Sequence, residues 1–423
     1  LSLNHLWAVN EKLVISNVLY ASLGNGGGTG MTPSLVSGSF NNDRQIDFQS
    51  IYDRNSGNTR ESLLGFTYDP SIDPLYSSTE RKSTQFLRSS INNHRWFGLL
   101  STYNYQANDE YTFSGGLDLR HYTGEHYREV YDLLGGDYYV ANDNVAAQDS
   151  SAVIRKGDKF AYHNDGLVQW LGMFQQMEYK TGNWSAFLNL SFSTTSYKRI
   201  DYFRPLDLVL NDTTLVQALS FGDTLLIDGN EYTVNSTEAR NTESKWKSIP
   251  GYTFKTGLNY NLDEFNNVFM NLGYLEKAPK FNNIFDYDNQ LFANIRNEEV
   301  AAIELGHSYK SNKFSSNLNL YHTQWRNKPQ SGVAVEGDDR IMYNINGIDA
   351  LHKGVEFDFS IKISEKVTFE GLSSIGDWRW TSGDTIRSYD DNNQLIGLDY
   401  FDASGVHVGD AAQLQFGSSL RYC

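Results

Sequence analysis

Histidine and carboxylate side chains come close together at one place in the sequence, where His121, Glu125 and His126 lie within six residues. Imidazole and carboxylate groups are common zinc ligands, and two histidines with a glutamate form the zincin motifs. The spacing here matches neither order of that motif, and the three residues lie where a predicted strand ends and a long loop begins. We therefore predict no metal site.

Two further segments are similar to ligand-binding loops. Residues 286–290 (Asp-Tyr-Asp-Asn-Gln) are similar to the start of a calcium loop, but the glycine and the closing glutamate of such a loop are absent. The glycine-rich segment 24–30 could cradle a phosphate, yet no lysine follows it. A solvated turn and a flexible loop are the favoured interpretations. Because nucleophile-elbow, P-loop and zincin motifs are also absent, we predict neither an enzyme nor a cofactor.

Aromatic residues in or beside the predicted long loops are the remaining candidates for a site. They are Tyr138, Tyr139, Tyr287, Trp378 and Trp380. Their rings could stack on a sugar or an aromatic ligand. The alternative is that they pack the loops against one another, and the sequence alone favours that alternative while leaving both open.

The composition limits the ways in which this chain could interact with a membrane or a nucleic acid. Hydrophobic residues make up 39% of the 423 residues, and no run of about 18 apolar residues could form a transmembrane helix. Strands of a membrane barrel turn only every second residue to lipid, so such a protein looks polar on average. The net charge of −16 opposes binding to nucleic-acid phosphates. The only cysteine is Cys423, which excludes an intrachain disulfide.

Apolar and polar residues alternate over many segments. In 252–261, for example, Tyr252, Phe254 and Leu258 share one face while Thr253 and Lys255 share the other. Period-two alternation indicates strands with one apolar face. It also runs, with varying clarity, through residues 1–9, 13–23, 93–105, 111–120, 167–180, 184–193, 268–276, 300–310, 314–326, 355–363, 367–380 and 413–422. The sequence therefore predicts about thirteen strands.

The joints between these strands alternate in length. The short joints are 10–12, 106–110, 180–183, 262–266, 311–313 and 364–366, and the long ones are 24–92, 123–159, 203–246, 278–297, 327–352 and 381–409. In an up-and-down barrel, alternate joints lie on the same rim, and outer-membrane barrels have short periplasmic turns and long extracellular loops. We therefore predict an all-β, transmembrane, antiparallel up-and-down β-barrel.

Aromatic residues flank several of the short joints: Tyr105 and Tyr111, Tyr179 and Trp184, Tyr309 and Phe314. They predict an aromatic girdle at the lipid headgroups, although such residues also favour strands in general. Bacterial single-chain barrels usually have an even number of strands, so thirteen predicts that strands are missing. Residues 1–10 have no signal-peptide pattern, and we expect a fragment at both ends.

The segment 277–363 resembles the barrel of TonB-dependent receptors. Lys277–Phe285 (Lys-Ala-Pro-Lys-Phe-Asn-Asn-Ile-Phe) is similar to the family's Ala-Pro and Phe-Asn segment, Ile303–Gly306 matches its Glu-Leu-Gly strand, and Gly354–Phe357 matches its Gly-Val-Glu-Phe. The Leu-Lys-Pro core of one family motif is absent from residues 294–299. Residues 131–139 and 157–170 resemble a Bacteroidetes-type branch.

This resemblance implies a barrel of twenty-two strands with an N-terminal plug domain, so residues 1–423 would be a partial barrel domain from which the plug is absent. It implies a receptor in the outer membrane of a Gram-negative bacterium that imports a scarce nutrient. Its partners would be outer-membrane lipid, the nutrient, and the energy-coupling complex of TonB, ExbB and ExbD. The alternatives are a passive porin or structural surface barrel, and a barrel enzyme whose catalytic residues meet only in space.

Overall fold

The computed structural model describes the chain except for residues 34–39, 58–59, 62–66, 69–70, 142–152, 286–288, 293–294, 337–338, 390–394, 410–411 and 423. Most described residues lie in strands. Helical structure in this part of the chain is limited to the α-helix Phe48–Asn55, labelled α1, and a 3-10 turn at Phe281–Asn283. No described helix is both long and apolar enough to cross a membrane, a finding with no bearing on proteins that cross with strands.

Among the described residues, seventeen strands form one antiparallel sheet, and thirteen of them form a series in which each strand pairs with the next of the series. They are β1 Ser2–Asn10, β2 Leu13–Gly24, β3 Phe86–Gln106, β4 Tyr111–Asp132, β5 Lys159–Thr181, β6 Trp184–Asp201, β7 Lys247–Asn261, β8 Asn266–Lys277, β9 Glu298–Lys310, β10 Phe314–Glu336, β11 Asp339–Lys362, β12 Val367–Trp380 and β13 Leu414–Tyr422. The predicted all-β, up-and-down architecture is confirmed.

The register of the sheet places apolar residues beside apolar residues on one face. Leu119 on β4, for example, pairs with Leu99 on β3 and Leu171 on β5. The described residues leave this face largely uncovered: Leu171 is 39% exposed and Met173 is 49% exposed. A continuous uncovered apolar face is expected where strands contact lipid. The opposite face of the same strands carries polar residues such as Asp118 and Arg120.

The strands extend beyond the predicted segments at the long-loop rim. β3 begins at Phe86, β5 begins at Lys159, and β10 continues to Glu336. The predicted long joint 327–352 is largely a continuation of the β10–β11 hairpin, and the predicted loop 381–409 contains the strands Gly383–Tyr389 and Leu395–Asp402. Alternation predicts a strand only where it continues over several residues, and these strand ends and short strands carry too little of it to be recognised.

Aromatic rings contact one another across neighbouring strands at the short-turn rim. The ring centroids of Tyr111 and Tyr179 lie 4.8 Å apart, and those of Trp184 and Tyr260 lie 4.3 Å apart. Tyr309 lies 5.8 Å from Phe314. These contacts place the aromatic residues in one row around the rim, as the predicted girdle requires.

Two parts of the long joints fold into small units of their own. One lies between β2 and β5, where α1 begins after Asp47, whose side chain accepts a hydrogen bond from the Ser50 backbone N–H and caps the helix. Its Ile51 is fully buried. The other unit contains strands Leu206–Val209, Thr214–Leu219 and Ala239–Arg240, which cover an apolar cluster of Leu206, Leu208 and Leu219. Both units lie at the rim of long loops.

Candidate functional site

Five aromatic side chains line the polar face of β10, β11 and β12 near the long-loop rim. We call this group the aromatic wall: Tyr321, Trp325, His352, Trp378 and Trp380. Trp378 pairs with His352 across the strands, and Trp380 pairs with Ala350. Since Val355 and Ile375 belong to the apolar face, the odd offsets in sequence place His352 and Trp378 on the opposite, inner face.

Ring contacts hold the wall together. His352 lies between two indoles, with ring centroids 5.9 Å from Trp325 and 5.6 Å from Trp378. The Trp378 indole N–H donates a hydrogen bond to the Tyr321 hydroxyl at 2.8 Å. The Lys328 ammonium lies 4.5 Å from the Trp325 ring and 5.6 Å from the Trp380 ring, within the range of cation–π attraction.

Two nitrogen atoms of the aromatic wall are shielded from solvent and have no hydrogen-bond partner among the residues that the structure describes. They are Nε1 of Trp325 and Nδ1 of His352. An unsatisfied buried polar atom costs about 1–3 kcal/mol, so a partner that supplied an acceptor to the indole would bind with that advantage. The wall therefore offers flat aromatic faces, one cation and an indole donor that needs an acceptor.

Tyr138 and Tyr139 lie elsewhere, in the unit around α1. Tyr138 is only 1% exposed, and burial raises the pKa of its hydroxyl, which has no hydrogen-bond partner. The Tyr139 ring lies 4.6 Å from that of Phe86, in an apolar cluster with Val130 and Phe160. The structure thus brings together Trp378 and Trp380 of the predicted residues and keeps Tyr138 and Tyr139 apart from them. Tyr287 lies outside the described residues.

Trp325, His352 and Lys328 were not among the residues singled out from the sequence. They fall in the segment 327–352, or just before it, that the sequence pattern assigned to a loop. Their meeting depends on the pairing of β10 with β11, in which Trp325 pairs with Ala350 and Thr323 with His352. The sequence does place Trp325 and Lys328 three residues apart, next to a predicted strand. Only the register of β10 and β11, however, shows which residues lie beside them.

The segment that carries the Ala-Pro and Phe-Asn pattern folds onto the inner face of the sheet. The Tyr197 hydroxyl on β6 donates a hydrogen bond to the Pro279 carbonyl at 2.7 Å. Ile284 is fully buried against Tyr197 and Ile249, and Phe281 lies over Gly166 of β5. The apolar residues of this joint therefore anchor it to the inner face of the sheet.

The three residues with metal-ligand chemistry do not converge. His121 and Glu125 lie on one face of β4 and His126 on the other, because the spacing is four and five residues along a strand. Glu125 accepts hydrogen bonds from Asn93 at 3.0 Å and Lys159 at 3.4 Å. Among the described residues, no group of three or more His, Cys, Asp or Glu side chains is placed to hold a metal ion. Residues 286–288 of the calcium-like run lie outside that part.

An uncovered apolar face, a polar inner face and alternating short and long joints define the class of transmembrane β-barrel proteins. A family model described as "TonB dependent receptor-like, beta-barrel" matches residues 7–422. The chain therefore belongs to the TonB-dependent receptor family, whose members are receptors and transporters of the outer membrane of Gram-negative bacteria. A comparison with curated protein sequences gives no match.

The chain is similar to several solved structures, and its likeness to the first of them shows the shared fold. The copper transporter OprC has 12% sequence identity and a TM-score of 0.55, and the alignment covers 99% of this chain and 56% of that one. The ferric citrate transporter FecA, in its unliganded form, has 9% identity and a TM-score of 0.45, covering 100% and 62%. The open form of the ferric-catecholate import receptor Fiu from E. coli K12 has 10% identity and a TM-score of 0.39, also covering 100% and 62%. The chain thus spans little more than half the length of the first of these proteins.

Proposed function

We propose that this chain is most of the barrel of an outer-membrane receptor that binds a scarce nutrient and imports it with energy from the TonB, ExbB and ExbD complex. The family match over residues 7–422 carries the proposal. Residues 1–423 form a partial barrel domain, and the plug domain and the remaining strands belong to other parts of the protein. Outer-membrane lipid covers the apolar face.

The aromatic wall is the part of this chain that we assign to the nutrient. Trp378 and Trp380 lie on the inner face of the sheet together with Trp325, and Trp380 also packs against a buried apolar cluster. Lys328 adds a positive charge at the same place. A ligand with a flat or sugar-like ring and an acceptor group fits these donors. Tyr287, in a long loop, remains a ligand-contact candidate, whereas Tyr138 and Tyr139 stabilise their loop unit.

A binding assay with the TonB periplasmic domain tests the energy-coupling proposal. The full-length receptor is expected to retain that domain on an affinity column, and a variant without its N-terminal coupling segment is the matched control that should not. In planar lipid bilayers the full-length receptor should give no steady ion conductance, because a plug would close the lumen. Steady conductance without TonB binding would instead identify a passive porin.

A further inference from the structure

A second cluster of histidine and tyrosine side chains lies on the inner face of β3 and β4. His94 pairs with Gly124, Trp96 with Tyr122 and Asn92 with His126 across these strands. All of these residues lie on the face opposite Leu99 and Leu119. The cluster therefore faces the inside of the barrel. It lies on different strands from the aromatic wall.

Three potential ligand groups converge above Gly124. The Tyr122 hydroxyl and Nε2 of His126 lie 2.5 and 2.8 Å from the position that a β-carbon on Gly124 would occupy. The Tyr122 hydroxyl is also 2.5 Å from Nδ1 of His94. These side chains can pack so closely because residue 124 is glycine, and a β-carbon there would displace the Tyr122 hydroxyl and Nε2 of His126.

The hydrogen bond to Asn92 determines which ring nitrogen of His126 carries the proton. Nδ1 of His126 lies 2.6 Å from Oδ1 of Asn92, which can only accept, so Nδ1 carries the proton. Nε2 then keeps its lone pair and lies over Gly124, beside the Tyr122 hydroxyl. A histidine that donates from one ring nitrogen and offers the other is the arrangement found at metal ligands, where the outer partner fixes the tautomer.

The separation of the two imidazoles fits a shared metal ion. Their ring centroids are 6.1 Å apart and the rings are nearly perpendicular, at 73°. With metal–nitrogen bonds of about 2.0–2.1 Å, two imidazoles on one ion have their centres roughly 5–6 Å apart, so a small side-chain movement completes the site. The two arginines on this face of β4 are engaged elsewhere: Arg120 pairs with Asp118, and Arg128 lies over the rings of Phe160 and Tyr162.

We propose that His94, Tyr122 and His126 form a binding site for a divalent transition-metal ion on the inner wall of the barrel. Imidazole ligands suit Cu²⁺, Ni²⁺ and Zn²⁺, and Cu²⁺ binds most tightly among these ions at nitrogen and oxygen sites. With two histidines and one phenol, the site leaves positions open for water or for donor atoms of a chelating molecule. It is independent of the aromatic wall and of energy coupling.

Titration of the tag-free, full-length receptor with CuSO₄ by calorimetry, followed by electron paramagnetic resonance, tests this site. The wild type should bind one Cu²⁺ with nitrogen couplings from two imidazoles. His126→Ala should weaken binding at least tenfold and leave a single-nitrogen spectrum. Gly124→Ala keeps both histidines and should also weaken binding at least tenfold, because its methyl group pushes the Tyr122 hydroxyl and Nε2 of His126 out of position.

His121→Ala is the matched control, because it removes a histidine from the same strand on the opposite face. Its affinity should equal that of the wild type. Heat-dependent migration on a detergent gel shows whether each variant is folded. If folded His126→Ala or Gly124→Ala binds Cu²⁺ like the wild type, or if His121→Ala loses as much affinity, the proposed site is wrong.

Discussion

At the scale of single residues, one buried amide holds the loop unit around α1 together. The Asn55 side chain, which is fully buried, donates to the carbonyls of Gln85, Leu133 and Leu134 and accepts from the backbone N–H and the hydroxyl of Thr84. Asn55 thus links the helix to both of the strands that leave the unit. Buried polar groups of this kind specify one arrangement because every partner is satisfied.

Asn55→Leu is expected to open this loop unit without unfolding the barrel. The variant leaves buried carbonyls without a donor, at about 1–3 kcal/mol for each orphaned group. Limited proteolysis of the full-length receptor should then cut within residues 40–85 or 133–158 at least tenfold faster than in the wild type. Gln49→Ala, on the exposed side of α1, is the control and should change little. Equal cleavage rates for Asn55→Leu and wild type would refute the anchoring role.

The surroundings of the candidate site residues could be predicted from the sequence only in part, for a physical reason. Trp378 and Trp380 lie on the inner face of the sheet, and their contact with a ligand stays a prediction, whereas the burial of Tyr138 depends on contacts between segments far apart in sequence. His126 meets Asn92 across 34 residues because of the β3–β4 register. Residue type and spacing alone cannot give that register where both faces of a strand are polar.

At the scale of elements, alternation located each of the strands β1 to β13 because one face of each is apolar over about nine residues. In β6 this band runs from Trp184 to Phe192, and the residues beyond it on the same face, such as Ser196, are polar. The band and the short turns could therefore be predicted, while the strand ends beyond it could not. The additional strands in 381–409 are shorter, and the apolar face of the second of them consists of only Ile396, Leu398 and Tyr400.

Leu188→Arg tests whether this band contacts lipid. Leu188 lies at the centre of the band on β6, and an arginine facing lipid at mid-depth costs about 2–4 kcal/mol. Urea titration of the full-length receptor in lipid vesicles should show that loss of folding free energy. Ser191→Arg places the same charge on the inner face of the same strand and should cost less than 1 kcal/mol. If Ser191→Arg lost more folding free energy than Leu188→Arg, the assignment of the two faces would be wrong.

At the scale of the whole molecule, the described strands leave β1 and β13 as the two edges of the sheet, since no hydrogen-bonded pairing joins them. Twenty-two strands, a plug and a Bacteroidetes-type origin remain predictions drawn from the resemblance. The family and the up-and-down order could be recognised from the sequence because motifs, turns and alternation are local. The closure of the barrel and the transport of a nutrient cannot be predicted in this way, because they do not depend on local patterns in this chain.

The central claim is that this sheet is a membrane wall with its long loops outside the cell and its short turns in the periplasm. Labelling of intact cells with a large, membrane-impermeant maleimide tests it most directly. The full-length receptor would carry Cys423→Ser and either Asp212→Cys, in a long joint, or Asn183→Cys, in a short turn. We predict that Asp212→Cys is labelled on intact cells and that Asn183→Cys is labelled only after the outer membrane is permeabilised. Labelling of Asn183→Cys on intact cells would contradict the account.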